Sequence, residues 1–473
     1  MFVFKIGGQI GKIPNLTSNP SKFFCLITDF VLYCWDRKSL GWVSLMVLEE
    51  KVFKDPIHGY IRVRDELIWA LIQTPEFQRL RRIKQLGGTQ VVYPTAEHSR
   101  FSHSLGVYEI TRRIIGTLDP RAEMMSVDTR ILLLAAALLH DLGHGPFSHS
   151  FESVLDVNHE DFTVRIILED TEINRLLETY QAGLAKEVAD VILKRHENLM
   201  VINLISSQLD ADRLDYLLRD AYFTGTPYGE IDLDRILRTI RVHDKLIVYK
   251  ESGMHVIEDY LLSRYQMFWQ VYAHDCSRSF NFIIQSLLMR VRDLISSGHK
   301  FKCDVVLFER LFEGDIDVSI KTYLRFDDGV ITTFAASFAE EDDAILRDLA
   351  DRFLNRRLFK EFDFSGSEMS EKFLKWVAIG LTDLGYDPKY YIFRDEQQRT
   401  LYDYYRYDED SKKEPINLLM RSGKIREISE VSDVIRGIVN IAKEKKTVFL
   451  PLDFMKKCHD DESFLNMLGD FIV

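Results

Sequence analysis

The chain has no pair of cysteines at metal-binding or redox spacing, no excess of positive charge and no long apolar run. Its five cysteines, Cys25, Cys34, Cys276, Cys303 and Cys458, are odd in number and scattered, with no CxxC among them. That excludes a disulfide framework and a zinc knuckle and points to a reducing, cytoplasmic compartment. The longest purely apolar stretch, Ile131 to Leu139, is less than half of the ~20 residues that a membrane-spanning helix needs. The apolar segment from Phe23 to Trp35 is interrupted by Asp29, and no small-residue cleavage site follows it; neither a membrane span nor a signal peptide is expected. The net charge of -12 excludes a broad basic face, so strong nucleic-acid or anionic-membrane binding is not expected, and any polyanion must bind in a local basic pocket. Internal repeats and low-complexity tracts are also missing.

What is present is a chain of 473 residues, 46% hydrophobic and 28% charged. That is longer than the roughly 250–300 residues over which one core keeps growing. Residues 1–45 are broken by Gly7, Gly8, Gly11, Pro14 and Pro20 and read as a loose N-terminal extension, with Met46 as a candidate true start. From residue 46 to 296 helical signals dominate: Glu66 to Ile72, Pro75 to Leu86, Ser104 to Leu118, Thr129 to Asp141 and Asp259 to Ser296. Turn chemistry separates them at Gly87-Gly88, Gly143 to Pro146 and Gly225 to Gly229. Residues 297–473 mix helical stretches, Asp342 to Phe359 and Ser370 to Leu384, with β-leaning ones, Tyr390 to Phe393 and Thr447 to Leu450. The expected architecture is mainly α, a helical core followed by a smaller α+β lobe.

Six of the thirteen histidines, His98, His103, His140, His144, His149 and His159, crowd into one short part of the chain. Imidazole and carboxylate together are ligands for borderline transition metals, and His140-Asp141 offers both side by side. The apolar run before that pair buries its helix and leaves the pair at the rim of a core, where a low dielectric strengthens attraction between metal and phosphate. Gly143 to His149 then follows a tight path that returns two more imidazoles to the pair; imidazole titrates near neutrality and suits proton transfer to a leaving oxygen. A second anchor runs from Leu209 to Asp220. Its apolar Leu214, Leu217 and Leu218 lie on one side, and Asp212, Tyr216 and Asp220 recur at i, i+4 and i+8 along one helical face.

His103, His140-Asp141 and Asp212 stand in the order H…HD…D, and further segments match: Lys51-Val52-Phe53, Asp55 to Gly59, Gln78 to Arg81, Ile83 to Gly88, Arg100 to Gly106 and His140 to His149. In these segments the chain resembles the dNTP triphosphohydrolases of the HD superfamily, which include the animal enzyme with a sterile-alpha-motif domain and its dGTP-activated bacterial relatives. The resemblance is strong over residues 48 to 290 and includes no sterile-alpha-motif domain. It implies an HD-domain helical core whose metal ligands are His103, His140, Asp141 and Asp212. His149 is implied as the leading acid, with His144 and His159 in the same pocket and Glu152 and Glu160 orienting imidazoles. Arg100, Arg213 and Arg264 match the family's phosphate clamp, although the animal enzyme has lysine at the position of Arg213. Gln85, Tyr216 and Asp220 match groups around the sugar 3′-hydroxyl, and Leu86 and Tyr272 match those crowding the 2′ position. An intersubunit regulatory nucleotide site is matched by Lys51, Val52, Gln78, Arg81, Arg356 and Lys360. Here Gln73 replaces an aspartate that reads guanine, and Lys54 and Val256 replace asparagines.

The resemblance thus implies a dNTP substrate and an activating nucleotide such as dGTP. It also implies a homotetramer, a divalent transition metal (Mn, Fe, Ni or Zn), and Mg accompanying the triphosphate. Two other readings fit the ligand set: an HD phosphohydrolase acting on another nucleotide or a nucleic-acid phosphoester, and a nucleotide sensor that has lost its chemistry. The arginines together with Asp220 and Tyr216 favour a long phosphate chain on a sugar with a free 3′-hydroxyl.

Overall fold

The computed structural model describes residues 50–121, 123–244, 246–312, 319–364, 368–400, 415–438, 442–451 and 453, together with the backbone of five strands between residues 2 and 46. Those five strands pair. Phe2–Ile6 lies antiparallel to Gln9–Ile13, and Val31–Asp36 lies between Phe23–Thr28 and Gly41–Met46.

The fold is mainly helical, with small sheets at its edges. A hairpin of Lys51–Asp55 and Gly59–Val63 opens the well-matched region, and Gly59, at φ +72°, takes the left-handed conformation that its tight turn needs. Helices Glu66–Gln73, Arg100–Leu118, Val127–Leu139 and Ala211–Thr224 then build the core. Val127–Leu139 is a helix wrapped by protein, since every residue from Ile131 to Leu139 is buried. Ser126 caps its start by accepting the Thr129 N–H. Asp210 caps Ala211–Thr224 by accepting the Arg213 N–H, and Gly225 at φ +69° ends it.

The long helix Asp275–Ser296, about 33 Å at 1.5 Å per residue, joins this core to the C-terminal part. Its Phe282 stacks on Phe393 with ring centroids 4.7 Å apart and meets Phe449 at 5.1 Å. Those two partners belong to a three-stranded sheet in which Ala442–Pro451 runs between Phe359–Asp363 and Phe393–Thr400. A four-stranded sheet sends the chain back: Asn417–Leu419 pairs in parallel with Leu246–Lys250. One continuous hydrophobic cluster runs from Ile61 to Leu450.

Several elements differ from their sequence patterns for tertiary reasons. The helix expected over Pro75 to Leu86 stops at Arg79 and tightens into a 3-10 turn, Leu80–Arg82. Beyond it the backbone is claimed from outside, by Gln85 N–H donating to His98 O and Arg100 N–H donating to Ile83 O. The helix expected over Asp259 to Ser296 is broken by a π turn, Phe268–Tyr272, and restarts with His274 as its cap. Asp342 to Phe359 is helical only over Ala344–Leu354 before its strand begins at Phe359. Tyr390 and Tyr391 belong to a short helix nucleated by Pro388, so the strand starts at Phe393. Among the described residues no helix is long and apolar enough to cross a membrane.

Candidate active site

Three helix ends meet at the histidine cluster. Arg100 and His103 sit in the first turns of Arg100–Leu118, His140 caps the end of Val127–Leu139, and Asp212 lies in the first turn of Ala211–Thr224. His103 Nε2 is 3.0 Å from the Asp212 carboxylate and 3.8 Å from that of Asp141. His140 Nε2 is 3.6 Å from Asp212 and 3.4 Å from Asp141. The other nitrogen of each ring is fixed by an acceptor: His103 Nδ1 donates to Asp215 at 2.8 Å, and His140 Nδ1 donates to Ala137 O at 2.9 Å. Both rings are therefore oriented with Nε2 toward the two carboxylates, as histidine ligands of a metal are.

The electrostatics favour a positive charge at this point. Burial works against a charged His103, yet the Asp212 and Asp215 carboxylates raise its pKa to about 10. Burial likewise opposes the charge on His140 and is overridden by Asp141 and Asp212. Asp212 is held below the usual carboxylate range, its desolvation outweighed by the two histidines. His140 Nε2 is buried and has no hydrogen-bond partner among the described residues. An orphaned imidazole nitrogen facing two carboxylates fits a divalent cation, which would take the place of the protons. His103, His140 and Asp212 form one group whose ligand atoms are close enough to hold a metal, and Asp141 forms a second with His144 and His159.

Beside this centre the turn after Asp141 brings in His144 and His149, and the start of helix His159–Leu168 brings in His159. Glu152 gathers three of them: His144 Nδ1 at 2.8 Å, His149 Nδ1 at 3.1 Å and His159 Nδ1 at 3.2 Å. These contacts hold the Glu152 carboxylate well below its ordinary pKa despite burial. The rings of His144 and His159 stack at 3.8 Å. Burial, and then the Arg100 guanidinium, lower His144 to about 4, so it is neutral at pH 7. The His149 side chain is 78% exposed, which places it at the mouth. Gly143 is dictated by packing, since a Cβ there would lie 2.0 Å from His159 O and 2.3 Å from Thr163 N. Arg79, fully buried, donates to the carbonyls of Phe326, Leu142 and His144, and Tyr323 Oη donates to Gly143 O at 2.5 Å. Phe147 and Ser148 lie at φ +52° and +51°, conformations costly for side-chain-bearing residues. The Phe147 N–H donates to Asp328 at 2.9 Å and Ser148 Oγ accepts from Arg100 at 2.7 Å.

A cavity of about 510 Å³ opens over these groups. Gln85, Leu86, Arg100, Asp141, His144, His149, His159, Asp212, Tyr216, Asp220 and Tyr272 line it. At the wall away from the cluster, Asp220 accepts from Tyr272 Oη at 2.8 Å and pairs with His98 Nε2 at 2.7 Å. Tyr272 is delivered there by the π turn, a feature common at functional sites.

Of the expected arginine clamp, only Arg100 reaches the cavity wall, and it is already bonded to Asp141 and Ser148. Arg213 pairs with Asp210 on its own helix. Arg264 lies in the field of Tyr216 and Tyr260, and neither Arg213 nor Arg264 lines the cavity. The sequence reading missed a different arginine that does, Arg278, along with Phe268, Asn281 and Ser148. It also missed Asp215, although its partners His58 and His103 both stand in matched segments. The residues matched to a regulatory site have contacts of their own. Arg81 lies over the Phe101 ring at 3.5 Å and donates to Gln78 Oε1, Lys51 and Val52 start the hairpin, and Arg356 donates to Val91 O near the strand that carries Lys360.

Comparison with known proteins agrees with this geometry. The model of the HD domain matches residues 100–220, and that of the HD associated region matches residues 231–300. The chain is 47% identical to YwfO of Bacillus subtilis over 86% of its own length and 93% of the relative. It is 32% identical to the deoxynucleoside triphosphate triphosphohydrolase SAMHD1 homolog of Dictyostelium discoideum, over 50% of this chain and 48% of that protein. Among solved structures, a phosphohydrolase from Bacteroides thetaiotaomicron superposes with TM-score 0.75 at 28% identity, covering 85% of this chain and all of that one.

Proposed function

Because the chain belongs to the HD-domain phosphohydrolase family, we propose that it hydrolyses deoxynucleoside triphosphates to deoxynucleoside and inorganic triphosphate. The observation that carries this reading is the composition of one cavity, in which Asp141 and Asp212 of the His/Asp centre share walls with the Asp220–Tyr272 pair. A phosphoester at the centre leaves its sugar within reach of Asp220, which can accept from a 3′-hydroxyl, while Leu86 and Tyr272 leave little room for a 2′-hydroxyl. Asp220 bound to two donors is fixed in place for that task.

A divalent cation held by His103, His140, Asp141 and Asp212 would supply Lewis-acid polarisation of the phosphate and an activated water. His149 donates the proton to the departing 5′-oxygen: its Nδ1 is anchored on Glu152, which leaves Nε2 for the substrate. His144, neutral and clamped between Asp141 and Glu152, lines the cavity without adding charge. Arg100 and Arg278 supply positive charge for the phosphate chain. The same reading assigns residues 46–296 to catalysis and 297–473 to regulation and assembly, with residues 1–45 as an extension. Lys51, Val52, Gln78, Arg81, Arg356 and Lys360 are assigned to a nucleotide site shared between subunits of a tetramer.

Incubating the purified protein with each dNTP and rNTP, with and without dGTP, under Mn²⁺, Fe²⁺, Ni²⁺, Zn²⁺ and Mg²⁺, tests the proposal. Intact triphosphate released from dNTPs and not from rNTPs is expected. Monophosphate with pyrophosphate, or no turnover under any metal, rejects it.

A further inference from the structure

Asp215 is fully buried and belongs to neither the cavity wall nor the ligand set. Each of its oxygens carries two donors. Oδ1 meets His58 Nε2 at 2.6 Å and Arg219 Nη2 at 2.9 Å; Oδ2 meets His103 Nδ1 at 2.8 Å and Arg219 Nε at 2.8 Å. The remaining arm of Arg219, Nη1, donates to Asp55 Oδ2 at 2.8 Å. Asp55 Oδ1 in turn accepts the N–H groups of Ile57 at 2.9 Å and His58 at 3.0 Å. The turn of the hairpin, Asp55 to Gly59, is thus bonded twice to the carboxylate that orients His103, once through His58 and once through Arg219.

The helix that carries His103 is shaped for this arrangement. Gly106, one turn on, faces the same pair, and a Cβ there would lie 1.8 Å from Asp215 Oδ1 and 2.5 Å from Arg219 Nη2. In charge, two carboxylates enclose one guanidinium, which leaves a negative balance behind the His103 ring and strengthens its Nε2 as a donor to a cation.

We infer that the hairpin turn Asp55 to Gly59 is a positioning element for His103, with His58 and the Asp215–Arg219 pair setting the orientation and basicity of that imidazole. This rests on the reading of His103 as a cation ligand. Among the described residues His58 is not part of the cavity wall, and its side chain bonds to Asp215. The opposite end of the same hairpin begins at Lys51 and Val52.

The test compares His58→Phe, which removes the donor to Asp215, with His58→Gln, whose amide can replace it. Mn²⁺ affinity is read by competition with a chelator, and the urea midpoint is read on metal-free protein. The loss of a partner behind a metal ligand weakens metal binding about 10- to 100-fold. That weakening is expected for His58→Phe, with most of it recovered in His58→Gln. Wild-type affinity in His58→Phe overturns the inference. So does an equal loss in both variants that follows a lowered metal-free midpoint, the result of a merely structural role. Gly106→Ala, which displaces Asp215 without touching His58, is expected to weaken Mn²⁺ binding as well, and unchanged binding there also overturns the inference. Absence of Mn²⁺ binding by the wild type overturns the cation centre itself, a failure distinct from the others.

Discussion

Asp328 shows how one side chain can hold a strained turn and shape the acid–base behaviour of the whole protein. Its two oxygens accept the N–H groups of Phe147 and Lys84, each at 2.9 Å. Burial raises its pKa from the ordinary 3.8 to about 6, with those N–H bonds and the charges of Lys84 and Arg100 opposing only in part. Between those values the folded chain keeps a proton that the unfolded chain has released. The associated stability is therefore fully present below about pH 4 and lost as pH rises through about 6, an effect on the order of 3 kcal/mol. Asp328→Asn removes this titration and leaves one of the two N–H groups poorly accepted, at a cost of about 1–3 kcal/mol. Urea midpoints between pH 5 and 7.5 are expected to fall with pH in the wild type and to be flatter in the variant; parallel profiles would reject the assignment. At this scale the sequence is legible where chemistry is concentrated. His103, His140, Asp141 and Asp212 stand out by type and order, and the structure brings them within reach of one another. Asp215 and Arg278 were not legible, because an aspartate on a polar helix and an arginine among serines look like any solvated face until their partners, His103 and Asp395, are known.

Among the elements, helices with an apolar stripe and a cap are readable, and Val127–Leu139 with Ser126 at its start is one. Breaks imposed from outside are not. The π turn at Phe268–Tyr272 interrupts a run whose residues all suit a helix, and the stop at Arg79 depends on a strand-like bridge between Lys84 and Ser99. The close approach of two elements leaves its mark in glycine. Gly143 lets the turn touch the start of helix His159–Leu168, the helix that carries His159 into the cavity. Gly143→Ala inserts a methyl against backbone that cannot yield, and overpacking of this kind costs about 1–3 kcal/mol or more. The expected outcome is a lower unfolding midpoint together with a kcat reduced at least tenfold, since His159 moves with its helix; a variant with lowered stability and unchanged kcat would separate this packing from the chemistry.

For the molecule as a whole, the cavity wall is braced by the C-terminal part of the chain. Arg278 lines it while its guanidinium is gripped by Asp395, from the strand Phe393–Thr400. Composition and periodicity place Asp395 in a separate lobe and give no hint of this contact. Arg278→Gln removes a cation and a bridge at once. KM for a triphosphate substrate is expected to rise about tenfold, the equivalent of roughly 1.4 kcal/mol, with kcat within about threefold; steady-state kinetics at two salt concentrations checks this, since a lost ionic contact also lowers the salt dependence of KM.

Arg79 and Tyr323 carry the same logic into the life of the nascent chain. The carbonyls of Leu142, Gly143 and His144 are moored by a buried guanidinium that also needs Phe326, and by a phenol that follows Gly143 by 180 residues. A polypeptide emerging from the ribosome exposes the clustered histidines, His98 to His159, well before those moorings exist. The histidine-bearing turn is thus among the last features to set, and a half-made chain holds the ingredients of the centre without its final shape.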